Sequence, residues 1–395
     1  MPGLRDDHPA ACALPCDAAG LCRPQSLGHD PVREVRPAST VEPAERTGID
    51  LSVSTLADQV GACTVALQPL HALIEHHVLA AERLHGDDTN VPILAKGQTI
   101  KGHIWAYVRD DRPFGGLAPP AALYYASRDR RREHPARHLG GFSGILQADA
   151  YSGYNELYNA SRAQGPITPA LCWAHARRQF FELADIATNA RRGKNAAAIS
   201  PIALEAVKRI DALFDIERGI NGKSVEERFQ VRKERSESLV TALEAWLREQ
   251  RARLSNSSAV AGPIDYMLRR WDRFARFIDD GRICLTNNAA ERALRGFALG
   301  RKSWLFAGSE RGADRAAIMA TLIMTAKLNE VDPQAWLADV LTRIAAHPSH
   351  RLAELLPWIG RLRHRRARPE LRDHARQQGQ SRHHDHSPRR GPRRG

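Results

Sequence analysis

The spacing of apolar residues changes along the chain and separates helical from strand-like stretches. Helical spacing begins near residue 52, where Ser52 or Ser54 can cap a helix that continues to about residue 79. Short apolar runs between turn residues then predict strands over residues 83–92, 103–108, 122–126, 144–149 and 167–172. A short helix is expected at 135–139 and a longer one at 174–186. Strands that alternate with helices predict a mixed α/β sheet.

Most of the remaining chain is predicted to be helical. Residues 190–282 carry apolar side chains at helical spacing, and Ser224 with Glu227 forms a capping-box pattern. Further helices are expected from Asn288, over 313–328 and over 333–345. The segments 1–48 and 359–395 show no sustained apolar period, so we expect irregular or disordered chain there. Between them we expect four regions: a helical lead-in at 49–82, a sheet region at 83–188, a helical block at 189–282 and a helical C-terminal region at 283–358.

Positive charge is concentrated at the C-terminal end. The 395 residues carry a formal net charge of +13, and residues 361–395 account for +9 of it, with 12 Arg and three acidic residues. A basic balance favours a nucleic-acid partner, although here it is mostly a property of the tail. The six scattered cysteines favour reduced thiols in the cytoplasm. We find no run of membrane-spanning length and no signal-peptide pattern, so no membrane partner is expected.

Three acidic residues lie at or near the ends of predicted elements. Asp87 lies in the first predicted strand, Asp149 ends the fourth, and Glu291 lies in the first turn of the helix from Asn288. Two adjacent strands and a nearby helix can bring three carboxylates together, and such oxygen ligands suit Mg²⁺. However, an acid at a strand end is often a turn residue, and Asn288 with Glu291 also fits a capping box. Spacing alone leaves both interpretations open.

Eight collinear motifs, taken together, resemble the transposases of the insertion-sequence 66 family. Their order and spacing agree over roughly residues 49–358, and the combination is far more specific than any one motif. They are IDLS (49–52) leading to VG (60–61), LHGDDT (84–89), WAYVRDDRP (105–113), LQADAYSGY (146–154), CWAHARR (172–178), NNAAER (287–292), GRKSWLFAGS (300–309), and TAKLN (325–329) followed by DP (332–333).

The resemblance implies a ribonuclease-H-like fold with a large helical insertion between the fifth strand and the helix of the catalytic glutamate. On this pattern 83–188 and 283–358 form the catalytic core and 189–282 the insertion. Asp87, Asp149 and Glu291 correspond to the catalytic triad that holds two Mg²⁺ ions, for which Mn²⁺ can substitute. Asp88 is the competing first ligand, but alternation along a strand sends it to the opposite face from Asp87.

The resemblance also suggests roles for residues around the triad. Cys172 and His175 are expected to support the carboxylates structurally, because a Cys-x-x-His pair is only half of a zinc site. Arg177 and Arg178 could touch phosphates, although paired arginines on a helix more often form a solvated face. The segment at 304–306 is expected in the core. The predicted DNA phosphate contacts are Arg178, Arg292, Arg295, Arg301 and Lys302.

The implied function is DNA cleavage and strand transfer during transposition, with element ends and target DNA as partners. A homo-oligomer on DNA and accessory proteins of the same element are also expected. Residues 1–48 and the Arg-rich tail do not resemble the family, so we hypothesise a truncated or frame-shifted copy that lacks the DNA-reading module. Two alternatives remain open: a decayed or domesticated DNA-binding remnant, and a structure-specific nuclease on the same fold.

Overall fold

The computed structural model describes residues 52–185, 199–304 and 307–359, with residues 301–304 described by backbone alone. Expectations for residues 1–48 and for the tail from 360 fall outside these ranges, as do residues 186–198 and 305–306. Within the described ranges, no helix has the length and apolar character needed to cross a membrane.

Five strands form one mixed sheet. They are β1 (Arg83–Ala95), β2 (Gln98–Arg109), β3 (Ala121–Ser127), β4 (Ile145–Ala148) and β5 (Thr168–Leu171). Their spatial order is β3-β2-β1-β4-β5, with antiparallel pairing among β1, β2 and β3 and parallel pairing of β4 with β1 and β5. All five predicted strands and the mixed α/β class are confirmed. Strands β1 and β2 are longer than predicted because they stay paired up to Ala95 and Gln98. A tight turn at Gly97, with φ of 75°, joins them there.

Helices precede, connect and follow the strands. They are α1 (Val53–Ala66), α2 (Gln68–Leu79), α3 (Glu133–His138), α4 (Trp173–Ala184), α5 (Pro201–Gly219), α6 (Val225–Val231), α7 (Glu237–Arg253), α8 (Ala261–Leu268), α9 (Trp271–Ala275), α10 (Asn288–Trp304), α11 (Glu310–Leu328) and α12 (Pro333–Arg343). The lead-in is two helices rather than one, because the helix is interrupted at Leu67, two residues before Pro69. Ser52 caps α1, and the capping box of Ser224 and Glu227 is confirmed.

Both faces of the sheet are covered, and alternation along β2 shows how. Trp105 and Tyr107 pack into a cluster with α2, α11 and α12, whereas Ala106 and Val108 pack into a cluster with Ala290 and its neighbours on α10. Helices α4, α5, α7, α8 and α9 form another cluster with β4 and β5. Helix α10 therefore lies against the sheet with its first turn close to β1.

Two buried arginines join the helical block to the segment that leads into α10. Arg228 and Arg232 are almost fully buried, and both bind the carboxylate of Glu217. They also donate to backbone oxygens between residues 277 and 283, including Gly281 and Ile283. These contacts hold the chain just before the helix that carries Glu291.

Candidate active site

Strand register brings two of the predicted acids level with one another. In the parallel pair β1–β4, Arg83 lies opposite Ile145 and His85 opposite Gln147. The same offset, continued two residues further, matches Asp87 with Asp149. Neighbouring strands lie about 4.8 Å apart, so a backbone that keeps this offset past the end of β4 carries Asp149 close to Asp87.

The start of α10 is fixed to β1 by Asn287, which is fully buried. Its side-chain amide donates to the backbone oxygen of Gly86 at 2.8 Å, and its side-chain oxygen lies 3.2 Å from Nδ1 of His85. Its backbone N–H donates to the Sγ of Cys172 at 3.3 Å. Since Gly86 directly precedes Asp87, these bonds set the distance from β1 to the first turn of α10, where Glu291 lies.

Gln147 makes the corresponding connection from β4. Its side-chain amide donates to the backbone oxygens of Cys284 and Thr286, and its Oε1 accepts the backbone N–H of Cys284 at 3.0 Å. The residue is fully buried and lies two positions before Asp149. The segment before α10 is therefore bonded to β1, which carries Asp87, and to β4, which directly precedes Asp149.

The electrostatics of Asp87 are those of a partly buried carboxylate among other acids. Burial is the main cause that raises its pKa to about 7, and the negative charges of Asp149, Asp88 and Glu291 raise it further. The backbone N–H of Asp88, which donates to Asp87 Oδ1 at 2.8 Å, acts in the opposite direction. The negative charges of Asp149, directly after β4, and of Glu291, on α10, are therefore near enough to act on the carboxyl of Asp87.

Asp88 has a different environment from its neighbour. Its carboxylate accepts from Arg130 at 2.7 Å and lies 2.8 Å from Nδ1 of His103. Burial alone would raise the pKa of Asp88, but these two hydrogen bonds outweigh it and lower the pKa. Asp88 is thus already paired, whereas Asp87 faces two further acids.

Arg130 connects this pair to the predicted triad. Its Nη2 lies 3.8 Å from Asp149 Oδ2, and its guanidinium stacks over the ring of Tyr151, 4.1 Å from the centroid. An open groove of about 520 Å³ runs beside it. The groove is lined by Asp88, Thr89, Asn90, Lys101, His103 and Arg130. The side of the groove nearest Asp149 therefore carries the positive charge of Arg130.

His175 and Cys172 lie next to Glu291. His175 Nε2 is 3.6 Å from Glu291 Oε1, and one ligand atom from each of the three residues lies within 4.8 Å of the other two. Cys172 is buried, and burial is the main cause that raises the pKa of its thiol to about 12. The thiol is therefore protonated at neutral pH when no cation is bound.

The predicted phosphate contacts divide into two groups. Arg178, Arg292 and Arg295 are exposed, the last two one turn apart on α10. The side chains of Arg301 and Lys302 lie outside the described residues. A solvated position for Arg177 is wrong: this residue is buried and its Nε donates to Asp211 of α5 at 2.6 Å.

Sequence reasoning missed Asn287, Gln147 and Arg130 as parts of this site. Asn287 and Gln147 both lie inside the family-like motifs, but the sequence alone does not show that these polar side chains are buried. Arg130 lies within a run of basic residues from 128 to 132, where charge clustering was the available signal. Its partner Asp88 is 42 positions away, so only the fold reveals the pair.

Stability of the metal-free protein should depend on the titration of Asp87. The folded pKa of about 7 exceeds the ordinary value of 3.8, so the folded state retains a proton that the unfolded state loses between these pH values. Stability supplied by this group is therefore complete below pH 4 and lost as the pH rises to about 7. Relative to Asp87→Asn, the wild type should lose about 1–4 kcal/mol across that window.

Urea denaturation in EDTA, repeated from pH 4 to pH 8, would measure this loss. The difference in unfolding free energy between wild type and Asp87→Asn should change over that range and then level off. Asp272→Asn, at an exposed position of α9, serves as the control. A constant difference between wild type and Asp87→Asn would mean that Asp87 titrates like an exposed carboxyl.

Comparison with known proteins adds a family relationship. A family model described as transposase IS66 family matches residues 40–315, and one described as the IS66 C-terminal element matches residues 321–358. Three relatives come from Sinorhizobium fredii (strain NBRC 101917 / NGR234). The uncharacterized protein y4hP is 64% identical over 79% of this chain, y4qI is 39% identical over 79%, and y4jD is 36% identical over 79%. The matched region spans 56%, 57% and 60% of their respective lengths.

Proposed function

Because the chain belongs to the IS66 transposase family, we propose that it catalyses metal-dependent cleavage and strand transfer of DNA at the ends of an insertion sequence. The observation that carries this proposal is the environment of Asp87. Its partly buried carboxyl has a pKa raised to about 7 by burial and by the charges of Asp149, Asp88 and Glu291. Acids gathered in this way are costly unless they serve a cation or a reaction.

The topology supports a ribonuclease-H-like interpretation of the sheet. Three antiparallel strands are extended on one side by two parallel strands, and a helix crosses the sheet with its first turn at β1. Helices α4 to α9 separate β5 from α10 in sequence, as expected for an insertion between the fifth strand and the glutamate helix. In this proposal the insertion also braces α10, through Arg228 and Arg232.

Negative charges on neighbouring acidic side chains repel one another, and a bound Mg²⁺ ion would neutralise this repulsion. Asp87, Asp149 and Glu291 would hold two Mg²⁺ ions, with Mn²⁺ as a substitute, because hard oxygen ligands from rigid elements suit these cations. When bound, such ions stabilise negative charge on the attacking and leaving oxygens of a phosphodiester. Asp88 is the weaker candidate for first ligand, since Arg130 and His103 already occupy its oxygens.

The remaining side chains would position the DNA. Arg130 lies between Asp88 and Asp149, where a guanidinium can meet a phosphate next to the reacting group. Arg292 and Arg295 are exposed and follow Glu291 on α10. They would contact the phosphate backbone of the DNA strand that is cleaved. Positioning and charge neutralisation are the main contributions of a protein to phosphoryl transfer of this type. We include element ends, target DNA, a homo-oligomer and accessory proteins of the element among the proposed partners.

A cleavage and joining assay tests the function. The full chain would be incubated with supercoiled plasmid and with duplexes from the element ends, in Mg²⁺, in Mn²⁺ and in EDTA. We expect nicking only with a divalent ion, and joined products when a pre-cut 3′ end is supplied. Binding without cleavage would instead support a DNA-binding remnant, and cleavage without joining a structure-specific nuclease.

A further inference from the structure

A second group of ligand atoms overlaps the proposed catalytic site but differs from it in chemistry. The Sγ of Cys172, a ring nitrogen of His175 and a carboxylate oxygen of Glu291 lie within 4.8 Å of one another. Thiolate and imidazole favour borderline-soft cations such as Zn²⁺ and Co²⁺, whereas Mg²⁺ favours oxygen. The Cys-x-x-His pair, which looks like half a zinc site in sequence, thus gains a third ligand from a helix more than 110 residues further along.

We propose that Cys172, His175 and Glu291 bind one Zn²⁺-class cation, and that this binding withdraws Glu291 from the site that it shares with Asp87 and Asp149. The first half of the proposal stands on the local geometry. The second half rests on the proposed function, because only a Mg²⁺-dependent enzyme would be inhibited in this way.

The separations are close to those that such a cation requires. Zinc binds sulfur at about 2.3 Å and nitrogen or oxygen at about 2.0–2.2 Å, which places tetrahedral ligand atoms roughly 3–4 Å apart. His175 Nε2 and Glu291 Oε1 are 3.6 Å apart, within that range. Small side-chain rotations would bring the sulfur into place. Three protein ligands leave the fourth position open for water.

The supporting contacts suit a bound thiolate. Cys172 directly precedes α4, so its sulfur lies where a helix N-terminus favours negative charge, and it already accepts the backbone N–H of Asn287. On binding, the thiol transfers its proton to solvent and its sulfur bonds the cation, so charge and atoms balance.

Cobalt spectroscopy on the reduced full chain tests the site directly. Cys12, Cys16 and Cys22 would first be changed to Ser, so that these thiols, which lie outside the described residues, cannot contribute. We expect one Co²⁺ per chain to produce a near-ultraviolet thiolate-to-cobalt charge-transfer band, which Zn²⁺ then abolishes. Cys172→Ser should lose the band. Cys284→Ser should keep it, because Cys284 is a half-buried thiol outside the cluster.

Two further variants keep the test decisive if Cys172→Ser does not fold. His175→Ala and Glu291→Gln retain the thiol but lose another ligand, so both should bind Co²⁺ roughly tenfold more weakly or worse. Folding of each variant is checked by circular dichroism. A folded wild type without the band, or a band that survives Cys172→Ser, overturns the site.

The inhibitory half has its own measurement. Added Zn²⁺ should lower Mg²⁺-dependent cleavage by the wild type, and this sensitivity should fall in Cys172→Ser when each rate is compared with its own zinc-free rate. Equal sensitivity in both proteins would overturn the inhibition. If no cleavage is found at all, the function proposal fails while the cobalt band still decides the site.

Discussion

Asp149→Asn is expected to lower the rate of Mg²⁺-dependent DNA cleavage by about 10³-fold or more. The amide has nearly the same shape as the carboxylate, but it removes one negative charge from the proposed ligand set. Loss of transition-state stabilisation by several kcal/mol corresponds to a rate loss of this size. The Asp149 charge also helps to raise the pKa of Asp87, so the variant should lower the pKa of Asp87.

Single-turnover cleavage of plasmid DNA measures this loss, with Asp87→Asn and Glu291→Gln assayed in parallel. Asp272→Asn is the control, since its carboxyl is exposed on α9, where it faces Arg276. Circular dichroism and DNA-binding affinity should remain close to those of the wild type. Residual cleavage by Asp149→Asn within a few-fold of the wild type would remove Asp149 from the chemistry and favour the DNA-binding remnant.

Asp87 on β1 and Asp149 directly after β4 were the part of the candidate site most accessible from sequence. Each lies where an apolar run meets polar residues, and their separation in sequence is the same as the register offset of the two parallel strands. Apolar alternation is a local property, so the strands themselves could be predicted from short windows. Glu291 was accessible only through its motif, because a capping role predicts the same residue at the same place.

The contacts that orient these acids depend on tertiary approach and were not predictable. Asn287 bonds Gly86 from 201 positions away, and Arg177, which looked solvent-exposed in sequence, is buried by Asp211 on another helix. The break at Leu67 was missed because the apolar spacing continues across it. Local patterns thus specify which elements form, whereas the polar contacts between elements require the packed structure.

Glu217→Gln is expected to lower the free energy of unfolding by about 3–5 kcal/mol. Arg228 and Arg232 have side chains only 2% and 0% exposed, and Glu217 is the carboxylate that both of them bind. Their remaining hydrogen bonds go mainly to backbone oxygens, which satisfy N–H groups but carry no net charge. Removing the carboxylate therefore leaves two buried positive charges without the anion that they share.

Urea denaturation of the metal-free protein measures the effect of Glu217→Gln. The matched control is Glu237→Gln, which breaks an exposed ion pair with Lys233 and should change stability little. Because Arg228 and Arg232 bind the backbone just before α10, Glu217→Gln should also reduce cleavage at temperatures where the protein remains folded. Such a loss would place the helical block among the supports of Glu291. Wild-type stability in Glu217→Gln would mean instead that the backbone oxygens alone compensate both arginines.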